Sequence, residues 1–577
     1  MSNLNRKLAL VWLTVMLVVL VAGCGPTPAP QIVKETVVVT EQQVVKETVV
    51  VQGTPQVVER VVTPTPEPPT AVPETPKGGT FVFRNLGDPS VLNPMYAGDG
   101  PSLIVLAFSM NGLVKQFGAD VQPDLAESWD LSDDGLVYTF HLRDDVKWQD
   151  GEPFTAKDVV FTYQAIEDEK NNSPAYSSFI IDDKPVLFEA VDDYTVRATL
   201  PALQPAFMNY MDTYILPEHI LSKSTDLEHD PFNQLPIGTG PFQVAEWKAG
   251  EQLRLVKFKD YFRGEPYLDE VIVRIVPDSQ AATVAIQTGE IDFMSSVDPA
   301  DVAKLEEAGV VVEAPRRDIQ VLIHVNVGHP ILSDVRVRKA MIYGVDREAM
   351  VVGLEKNYAK VADSIFHEPV FMYEENDPKL PAYTYDPVKA GELLNEAGWV
   401  VGEDGIRYKD GQPLKFTYLN INIGGPLGKM ATVVQAQLRQ IGFDIAIETV
   451  DIPTFIDRLA VQPCPKPYDV TLDREGAEGP DPDAYYPLYY GPDNYQCYNN
   501  EEVNALFDEG RRTADLEARK ATYQRVEEIL WDELPIIPMW YPRTVVALSP
   551  EFEYEEAILD ADQWNFFRYP EWIHLKP

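Results

Sequence analysis

The residues from 125 to 163 constrain the fold more than any other stretch of the chain. Side chains alternate over 136–142 with a period of two, which is typical of a half-buried strand. The dipeptide Asp-Gly at 134–135 supplies turn chemistry because glycine accepts positive φ, and residues 129–131 predict the partner strand. The sequence TAKD at 155–158 resembles a capping box and predicts the start of a helix. The stretch therefore predicts a β-hairpin followed by a helix, and none of it is catalytic by itself.

Length and charge limit the classes of protein to which the chain can belong. Its 577 residues are enough for two or three domains, and 45% hydrophobic with 10% aromatic residues is typical of globular proteins. The formal net charge of −42, with a pI of about 4.5, argues against nucleic acid or an anionic membrane surface as a partner. A solvated acidic exterior and an attraction for cationic ligands are both compatible with this charge.

The amino terminus has the pattern of an export signal. Basic residues at 6–7 precede an apolar run at 8–22 that is too short for a comfortable membrane span. The residues VAGC at 21–24 resemble a bacterial lipobox, in which the cysteine becomes the lipid-bearing amino terminus after cleavage. We therefore predict a signal peptide at 1–23 and lipidation of Cys24, which would hold the protein at a membrane. A plain secretory signal and an uncleaved anchor are the alternatives.

Residues 24–77 are predicted to form a flexible tether. Proline recurs along the segment, and such a composition favours an extended, PPII-like chain. As a flexible coil the segment would span about 40 Å. A short repeat, IVKETVVV and then VVKETVVV, begins at Ile32 and again at Val44. Pairing of these valine-rich repeats as strands, or their self-association, is the alternative.

Several short motifs follow one another in order along the rest of the chain. The first is the stretch described above, PDLAESW…DDG…YTFHLRDDVKW.DGEPFTAKDVVFTY. The others are GGT…LNP from residue 78, PIGTGPF at 236–242, YFRGEPYLDE at 261–270, AIQTGEID at 285–292, DVRVRKAMIYGVDR at 334–347 and YDPVKAGELLNEAGW at 385–399. Together they closely resemble the bacterial extracellular solute-binding proteins of family 5, the peptide, dipeptide and nickel receptors of ABC importers. The resemblance runs from about residue 77 to the end, and Gln149, where the family usually has His or Ser, is a minor departure.

This resemblance implies an α/β, two-lobed fold of the periplasmic-binding-protein type, in the type II, large cluster with an extra domain inserted in the first lobe. Alternating strands and helices also predict α/β lobes. The chain would cross between the lobes near residue 318 and near residue 545. The implied limits are 1–23 for the signal peptide, 24–77 for the tether, 78–115 with 226–318 and 546–577 for lobe I, 116–225 for the inserted domain, and 319–545 for lobe II.

The sequence contains no catalytic motif that we recognise, so we predict that the chain is not an enzyme and uses no cofactor. The nearest match to a phosphate-binding loop, residues 424–430, is one residue too short and lacks the hydroxyl that would hold magnesium. HExxH and GxSxG are absent, and the seven histidines are scattered, so no metal site is predicted. A secreted hydrolase and a surface adhesion or chaperone module are the alternatives from other functional classes.

The segment between Cys464 and Cys497 is the best candidate for contact with a ligand. In an exported chain with Cys24 in the leader, these two cysteines are one possible disulfide pair, and we predict that they are joined. The segment resembles a stretch that, in peptide-binding members of the family, places a Trp and an Asp over the cleft, where the Asp receives the peptide α-ammonium. By this match the Asp corresponds to Glu478 and the Trp to Glu475. A solvated acidic loop is the alternative.

Five further residues are candidate ligand contacts: Arg474, Tyr96, Asp99, His324 and Asn326. His324 flanks a strand end, and a structural role is the alternative for it.

The resemblance implies an extracytoplasmic receptor that captures a small solute, most often a peptide, between its lobes. It would deliver the solute to a permease and an ATPase on separate chains. Oligosaccharides and metal chelates are alternative ligands. We expect a monomer that is lipid-anchored to the cell membrane, in the periplasm or at the outer surface, and that has no nucleic-acid partner.

Overall fold

The computed structural model describes residues 43–51, 54–62, 75–117, 120–315, 319–367, 370–422, 425–459, 461, 464–475, 481–492, 494–554 and 565–576. The chain divides into two units, Met1–Pro73 and Glu74–Pro577. Within the described ranges, no helix is both long enough and apolar enough to cross a membrane.

The first unit contains one antiparallel pair of strands, β1 (Gln43–Val51) and β2 (Thr54–Val62). β1 includes the second copy of the valine-rich repeat, and its register runs from Gln43 opposite Val62 to Val51 opposite Thr54. These residues lie inside the segment for which the sequence predicts extended chain. β-branched valine favours strands, and this preference accounts for the difference.

Lobe I is built on a seven-stranded sheet with the order β12-β13-β14-β3-β15-β26-β16. Its strands are β3 (Thr80–Asn85), β12 (Phe242–Lys248), β13 (Gln252–Lys257), β14 (Glu270–Ile275), β15 (Phe293–Met294), β16 (Val311–Glu313) and β26 (Val546–Leu548). Its helices are α1 (Gly100–Ser109), α4 (Ser279–Thr288), α5 (Val302–Glu307) and α14 (Asn565–Arg568). A strand from the carboxyl-terminal part of the chain, β26, thus completes a sheet made mostly of earlier strands.

The inserted domain carries a four-stranded antiparallel sheet with the order β10-β11-β7-β6. Its strands are β6 (Ala126–Leu131), β7 (Val137–Leu142), β10 (Leu187–Asp192) and β11 (Thr195–Thr199), and its helices are α2 (Ala156–Glu167) and α3 (Glu218–Leu221). Two short pairs accompany it, β4 (Val114–Phe117) with β5 (Asp120–Pro123) and β8 (Ile180–Ile181) with β9 (Lys184–Pro185).

The hairpin and helix predicted from the opening stretch are confirmed. β6 pairs with β7, and alternate residues of β7 are buried. Thr155 caps α2, and Asp158 bonds back to the Thr155 backbone, which is the predicted capping box. One large buried cluster joins this domain to lobe I, with Phe83 of the lobe I sheet and Phe140 of β7 both fully buried in it. The inserted domain therefore shares a core with lobe I.

Lobe II is built on a six-stranded sheet with the order β18-β25-β17-β24-β22-β23 and has its own buried cluster. Its strands are β17 (Gln320–Val325), β18 (Ala359–Val361), β22 (Lys415–Ile421), β23 (Asp444–Val450), β24 (Val470–Glu475) and β25 (Ile536–Pro542). Its helices are α6 (Val335–Gly344), α7 (Arg347–Leu354), α8 (Pro387–Glu396), α9 (Gly425–Gln440), α10 (Ile452–Leu459), α11 (Tyr486–Tyr489), α12 (Glu501–Gly510) and α13 (Leu516–Glu533). The smaller sheets of the second unit are β19 (Val400–Val401), β20 (Arg407–Lys409) and β21 (Gln412–Pro413), and β27 (Phe552–Glu553) with β28 (His574–Leu575).

The sequence predicts one long helix from about Glu501 to Trp531, and this prediction is wrong. The chain forms two packed helices, α12 and α13, in its place. Gly510 ends the first helix, and a Cβ there would lie 2.7 Å from the Tyr523 ring of the second. Asp515 then caps α13 by accepting a hydrogen bond from the Ala518 backbone. The apolar pattern continues through both helices because both face the same core.

The PIGTGPF motif at 236–242 passes very close to the end of α1. A Cβ at Gly238 would lie 1.9 Å from the Ser109 carbonyl oxygen, so no larger residue fits without movement of the backbone. Gln149 fixes this approach, since its side-chain amide donates to the Ser109 and Gly240 carbonyl oxygens. Its carbonyl accepts from the Gly238 backbone. The departure from the family pattern at Gln149 thus has a clear packing role.

Two connections join the lobes, one between β16 and β17 and one between β25 and β26. They lie side by side. The Thr544 backbone donates to the Pro315 carbonyl oxygen at 3.0 Å, and Arg543 Nη1 donates to the Ala314 carbonyl oxygen at 3.3 Å. We call these two connections the crossovers.

Candidate functional site

The carboxyl ends of parallel strands meet at one edge of each large sheet. In lobe I, β3 runs parallel to β14 and to β15, so the loops that follow these strands are neighbours. In lobe II, β22 runs parallel to β24, and the loops that follow them share an edge in the same way. Ligands of open α/β sheets bind at such edges. These two edges are therefore the expected walls of a binding site.

A cavity of about 440 Å³ is lined by both edges and by a crossover. Lobe I contributes residues 279–280, which follow β14, and residues 296–299, which follow β15. Lobe II contributes residues 425–427, which follow β22, and the crossover contributes 542–545. Its volume is within the range of about 300–1,000 Å³ that is usual for small-ligand sites. We call it the interlobe cavity.

A buried arginine holds the lobe I wall of the interlobe cavity. Arg84, at the end of β3, is only 1% exposed. It donates to the carbonyl oxygens of residues 276–277 after β14, at 2.9 and 3.3 Å, and to that of Ser295 after β15, at 3.4 Å. Burial lowers the pKa of Arg84 from its ordinary value, and the Asp278 carboxylate opposes this effect. One side chain thus fixes both loops of this wall.

The lobe I wall also contains a strained backbone position. Ser296, which lines the interlobe cavity, has a φ of +59°. Residues other than glycine rarely adopt this conformation, and it persists where the surroundings determine it, often at binding sites.

A buried carboxylate belongs to the lobe II wall. Glu355 follows α7, lines the interlobe cavity and is 8% exposed. Its Oε1 accepts a hydrogen bond from Trp540 Nε1 at 2.9 Å, and Trp540 pairs with Val321 in the sheet. Asp298 from lobe I and Arg543 from the crossover line the same space. The lining therefore carries two carboxylates and one guanidinium.

Two of the predicted contacts, Arg474 and Glu475, lie at the edge of lobe II that borders the interlobe cavity. They are the last residues of β24, where Arg474 is opposite Val321 and Glu475 is opposite Gln320. Val321 lines the interlobe cavity. The strand register thus brings the backbone of both residues to this edge.

Glu478 lies outside the described residues, and so does Cys24. Glu478 belongs to residues 476–480, which we call the ligand loop. The loop is enclosed by a disulfide between Cys464 and Cys497, whose Cα atoms are 5.8 Å apart.

Two buried carboxylates follow the ligand loop directly. Asp481 forms a bidentate ion pair with Arg519, whose Nη2 is 2.7 Å from Asp481 Oδ1. Asp483 is 3.2 Å from Arg511 Nε and accepts a hydrogen bond from the Tyr523 hydroxyl, also at 3.2 Å. Burial raises the pKa of Asp483, with the charge of Arg511 acting in the opposite direction. These pairs anchor Asp481 and Asp483 to α13 and to Arg511, the residue that follows α12.

Asp99 and Tyr96 lie in lobe I and are not among the described residues that line the interlobe cavity. Asp99 caps α1, accepting from the Ser102 backbone at 2.9 Å and from the hydroxyls of Ser102 and Ser90. Burial works against its charge, but these hydrogen bonds hold the pKa of Asp99 below its ordinary value. Burial, with Glu228 nearby, raises the pKa of Tyr96 to about 12.

His324 and Asn326 lie toward the other end of β17 from the interlobe cavity. His324 is fully buried, and its Nδ1 is 2.7 Å from Gln496 Nε2. Asn326 is 3% exposed and donates to the Tyr468 carbonyl oxygen at 2.9 Å. The interlobe cavity is bordered by Val321 near the start of the strand, so His324 and Asn326 are not among the described residues that line it.

Sequence reasoning missed Arg84, Glu355 and Arg543. Arg84 sits in an apolar strand pattern, and its partners are carbonyl groups that no motif reveals. Glu355 and Arg543 reach the interlobe cavity only through the pairing of distant strands. Among the described residues, no group of three or more His, Cys, Asp or Glu side chains is placed to hold a metal ion.

Comparison with known proteins agrees with the motifs. The family model described as bacterial extracellular solute-binding proteins, family 5 Middle, matches residues 120–497. The oligopeptide-binding protein AppA of Bacillus subtilis is 30% identical over 492 residues, which are 83% of this chain and 89% of that protein.

Solved structures show the same fold. The ABC transporter substrate-binding protein CtaP from Listeria monocytogenes is 34% identical with a TM-score of 0.79, and the match covers 87% of this chain and all of that one. The structure of B. subtilis AppA in complex with a nonapeptide is 28% identical with a TM-score of 0.72, again covering 87% of this chain and all of that one. The predicted two-lobed α/β fold is thereby confirmed.

Proposed function

Because the chain belongs to the bacterial extracellular solute-binding proteins of family 5, we propose that it captures a peptide between its two lobes and delivers it to the permease of an ABC importer. The family consists of binding proteins, and the chain is accordingly a binding protein rather than an enzyme. The observation that carries the proposal is the interlobe cavity, which is built from the carboxyl-end edges of both large sheets and a crossover.

Capture would use the two crossovers as a hinge. Ligand contacts with both walls can form fully only when the lobes are closed, so binding shifts the population toward the closed state. The hydrogen bonds that tie one crossover to the other keep the two connections together while the lobes rotate. In this proposal two parts of the chain move relative to each other. One is lobe I together with the inserted domain, and the other is lobe II, residues 319–545, with the limits predicted from the sequence.

The peptide α-ammonium would bind Glu478 in the ligand loop. Two observations support this assignment: the preceding strand ends at the edge that borders the interlobe cavity, and the disulfide joins Cys464 and Cys497 on either side of Glu478 in the sequence. Glu475 and Arg474, at the end of the strand, are proposed as neighbouring contacts. AppA supports peptide as the ligand class, since its structure holds a nonapeptide.

Members of this family are extracytoplasmic. We further propose that residues 1–23 are a signal peptide, that Cys24 carries the lipid anchor, and that the receptor acts as a monomer. Cys24→Ser should release the protein from membranes or leave it unprocessed. Unchanged processing, membrane retention and lipid labelling of this variant would contradict the anchor.

Native mass spectrometry of ligand carried through purification tests the peptide assignment. We expect masses of short peptides that disappear after unfolding and refolding and return when a peptide mixture is added. Oligosaccharide or metal-chelate masses would overturn the peptide assignment while leaving the receptor function in place. Turnover of the added peptides would contradict a pure binding role.

A further inference from the structure

We infer that the inserted domain and lobe II form an electrostatic latch that stabilises the closed receptor. The latch consists of Asp182 and Tyr210 of the inserted domain with Asp483, Arg511 and Arg512 of lobe II. It is separate from the crossovers, which join lobe I to lobe II through the backbone. The inference rests on the proposed closing of the lobes and adds the residues that regulate it.

The first element of the latch is an ion pair between the two bodies. Arg512 Nη2 lies 3.4 Å from Asp182 Oδ1, although the two residues are 330 positions apart in the chain. Asp182 belongs to the tight turn between β8 and β9 and has a φ of +49°. Arg512 is the second residue after α12. Both side chains are more than half exposed, at 64% for Arg512 and 55% for Asp182. Their attraction is therefore screened by salt.

The second element places a tyrosine of the inserted domain next to a charged pair of lobe II. The Arg511 guanidinium stacks 4.1 Å above the Tyr486 ring and lies 3.2 Å from Asp483. Tyr210, at the end of the turn Pro205–Tyr210, is within electrostatic range of both charges. Burial, and then the Asp483 carboxylate, raise the pKa of Tyr210 to about 12, while Arg511 opposes them.

The two elements of the latch are linked within lobe II. Asp483 lies 3.2 Å from Arg511, and Arg511 directly precedes Arg512, the residue that meets Asp182.

The test compares ligand-free and peptide-bound full chain by fluorescence energy transfer. Labels are placed on azide-bearing residues introduced at Glu189 of the inserted domain and Glu517 of lobe II, both exposed. The variants are Arg512→Gln, Asp182→Asn and the two together; Asn is chosen because it tolerates positive φ. The control is Arg525→Gln, which removes an exposed ion pair of 2.9 Å to Glu502 inside lobe II. The probe ligand is a mixture of tri- to pentapeptides with free amino termini.

Each single latch variant should lower the ratio of closed to open molecules by roughly 1.5- to 5-fold, the range expected for exposed ion pairs. The double variant should lower it no further, because the two side chains act on each other. Raising NaCl from 0.05 to about 1 M should open the wild type and the control but leave the latch variants nearly unchanged.

Two failures are distinguishable. If the wild type closes on peptides and the latch variants match Arg525→Gln in every condition, the latch is wrong and the receptor mechanism stands. If the wild type shows one unchanging distance with and without bound peptide, the closing of the lobes is wrong, and the latch falls with it.

Discussion

The two lobes on either side of the interlobe cavity are held by different chemistry. In lobe I, the guanidinium of Arg84 binds neutral carbonyl groups of two loops. In lobe II, the ligand loop is enclosed by a disulfide and followed by two carboxylates, of which Asp481 is paired with Arg519 in the interior. The lobe I wall has no covalent link or buried ion pair among these contacts.

This difference predicts that the two lobes respond differently to mutation of a charged partner and to reduction of the disulfide. Hydrogen bonds from a guanidinium to carbonyl oxygens do not depend on a carboxylate staying ionised. Lobe II depends on buried charges and on an oxidised sulfur pair, so mutation of one partner or chemical reduction should affect this lobe selectively. We therefore expect lobe II, to which the ligand loop belongs, to respond to mutation of these partners and to chemical reduction, and lobe I to be insensitive to both.

The largest effect is expected from Arg519→Met. It leaves the Asp481 carboxylate buried without its partner and should lower the free energy of unfolding of lobe II by about 3–5 kcal/mol. Adding Asp481→Leu should recover most of the loss, because an apolar pair can replace a buried ion pair. The matched change in lobe I, Arg84→Met, leaves only neutral carbonyl and hydroxyl groups unpaired, and no second substitution is expected to rescue it. Urea unfolding of the three variants measures their free energies of unfolding. A free energy of unfolding for Arg519→Met within 1 kcal/mol of the wild-type value would contradict the expected loss.

Removal of the disulfide should rank next. Cys464→Ser with Cys497→Ser should cost roughly 3–4 kcal/mol in the chain-entropy model for a loop of this length. The loss should appear in lobe II and leave hydrogen exchange of the lobe I sheet unchanged. Thiol counting in the mature, unreduced protein is the prior check, and two free thiols would refute the pairing.

A buried glutamate gives the lobe II side a pH dependence. Glu527 of α13 accepts a hydrogen bond from the Ser364 hydroxyl, and Gln320, opposite Glu475 in the sheet, donates to the Ser364 carbonyl oxygen. Burial raises the pKa of Glu527 from 4.5 to about 7. Between these values the unfolded chain has released the proton and the folded protein keeps it, so stability falls as pH rises.

Glu527→Gln should therefore be more stable than wild type at pH 8, by on the order of 3 kcal/mol, and show no such gain at pH 4. Thermal unfolding at the two pH values measures the difference. Glu528→Gln, on the exposed side of the same helix, is the control and should show neither effect. Equal Tm changes for Glu527→Gln at both pH values would sink the assignment.

Ligand affinity should depend on one residue of lobe II, Glu478. Glu478→Gln leaves a peptide ammonium without its charge partner, which costs about 2–5 kcal/mol, or at least tenfold in Kd. The N-acetylated form of the same peptide, which binds poorly in any case, should be unaffected. Glu475→Gln is the paired control. Wild-type affinity of the Glu478 variant for a free-amine peptide, measured by calorimetry, would remove the ammonium assignment and leave an oligosaccharide or chelate as the ligand.

The sequence predicts local elements well where one residue pattern determines one element. The alternation around Phe140 and the capping box at Thr155 needed no tertiary information. The split of the last helix at Gly510 was missed because the apolar pattern continues on both sides of it, and only the packing of Tyr523 onto the glycine reveals the turn. A periodic pattern thus predicts which face is buried better than where a helix ends.

The site was predictable only in part. The motif match points to the segment around Glu475, whose contact with ligand stays a prediction, and the strand register brings its backbone to the edge of the interlobe cavity. His324 was chosen for its chemistry at a strand end, but the cavity borders the other end of that strand. Which end of a strand faces a partner lobe depends on sheet order and on the crossovers, and neither is encoded in a short sequence window.

The closing of the lobes is the central claim, and small-angle X-ray scattering tests it most directly. The radius of gyration of the purified protein is measured before and after saturation with the peptides that mass spectrometry identifies as bound. We expect it to fall on saturation, and to return when the ligand is removed. An unchanged radius of gyration with peptide demonstrably bound would contradict a receptor that closes around its solute.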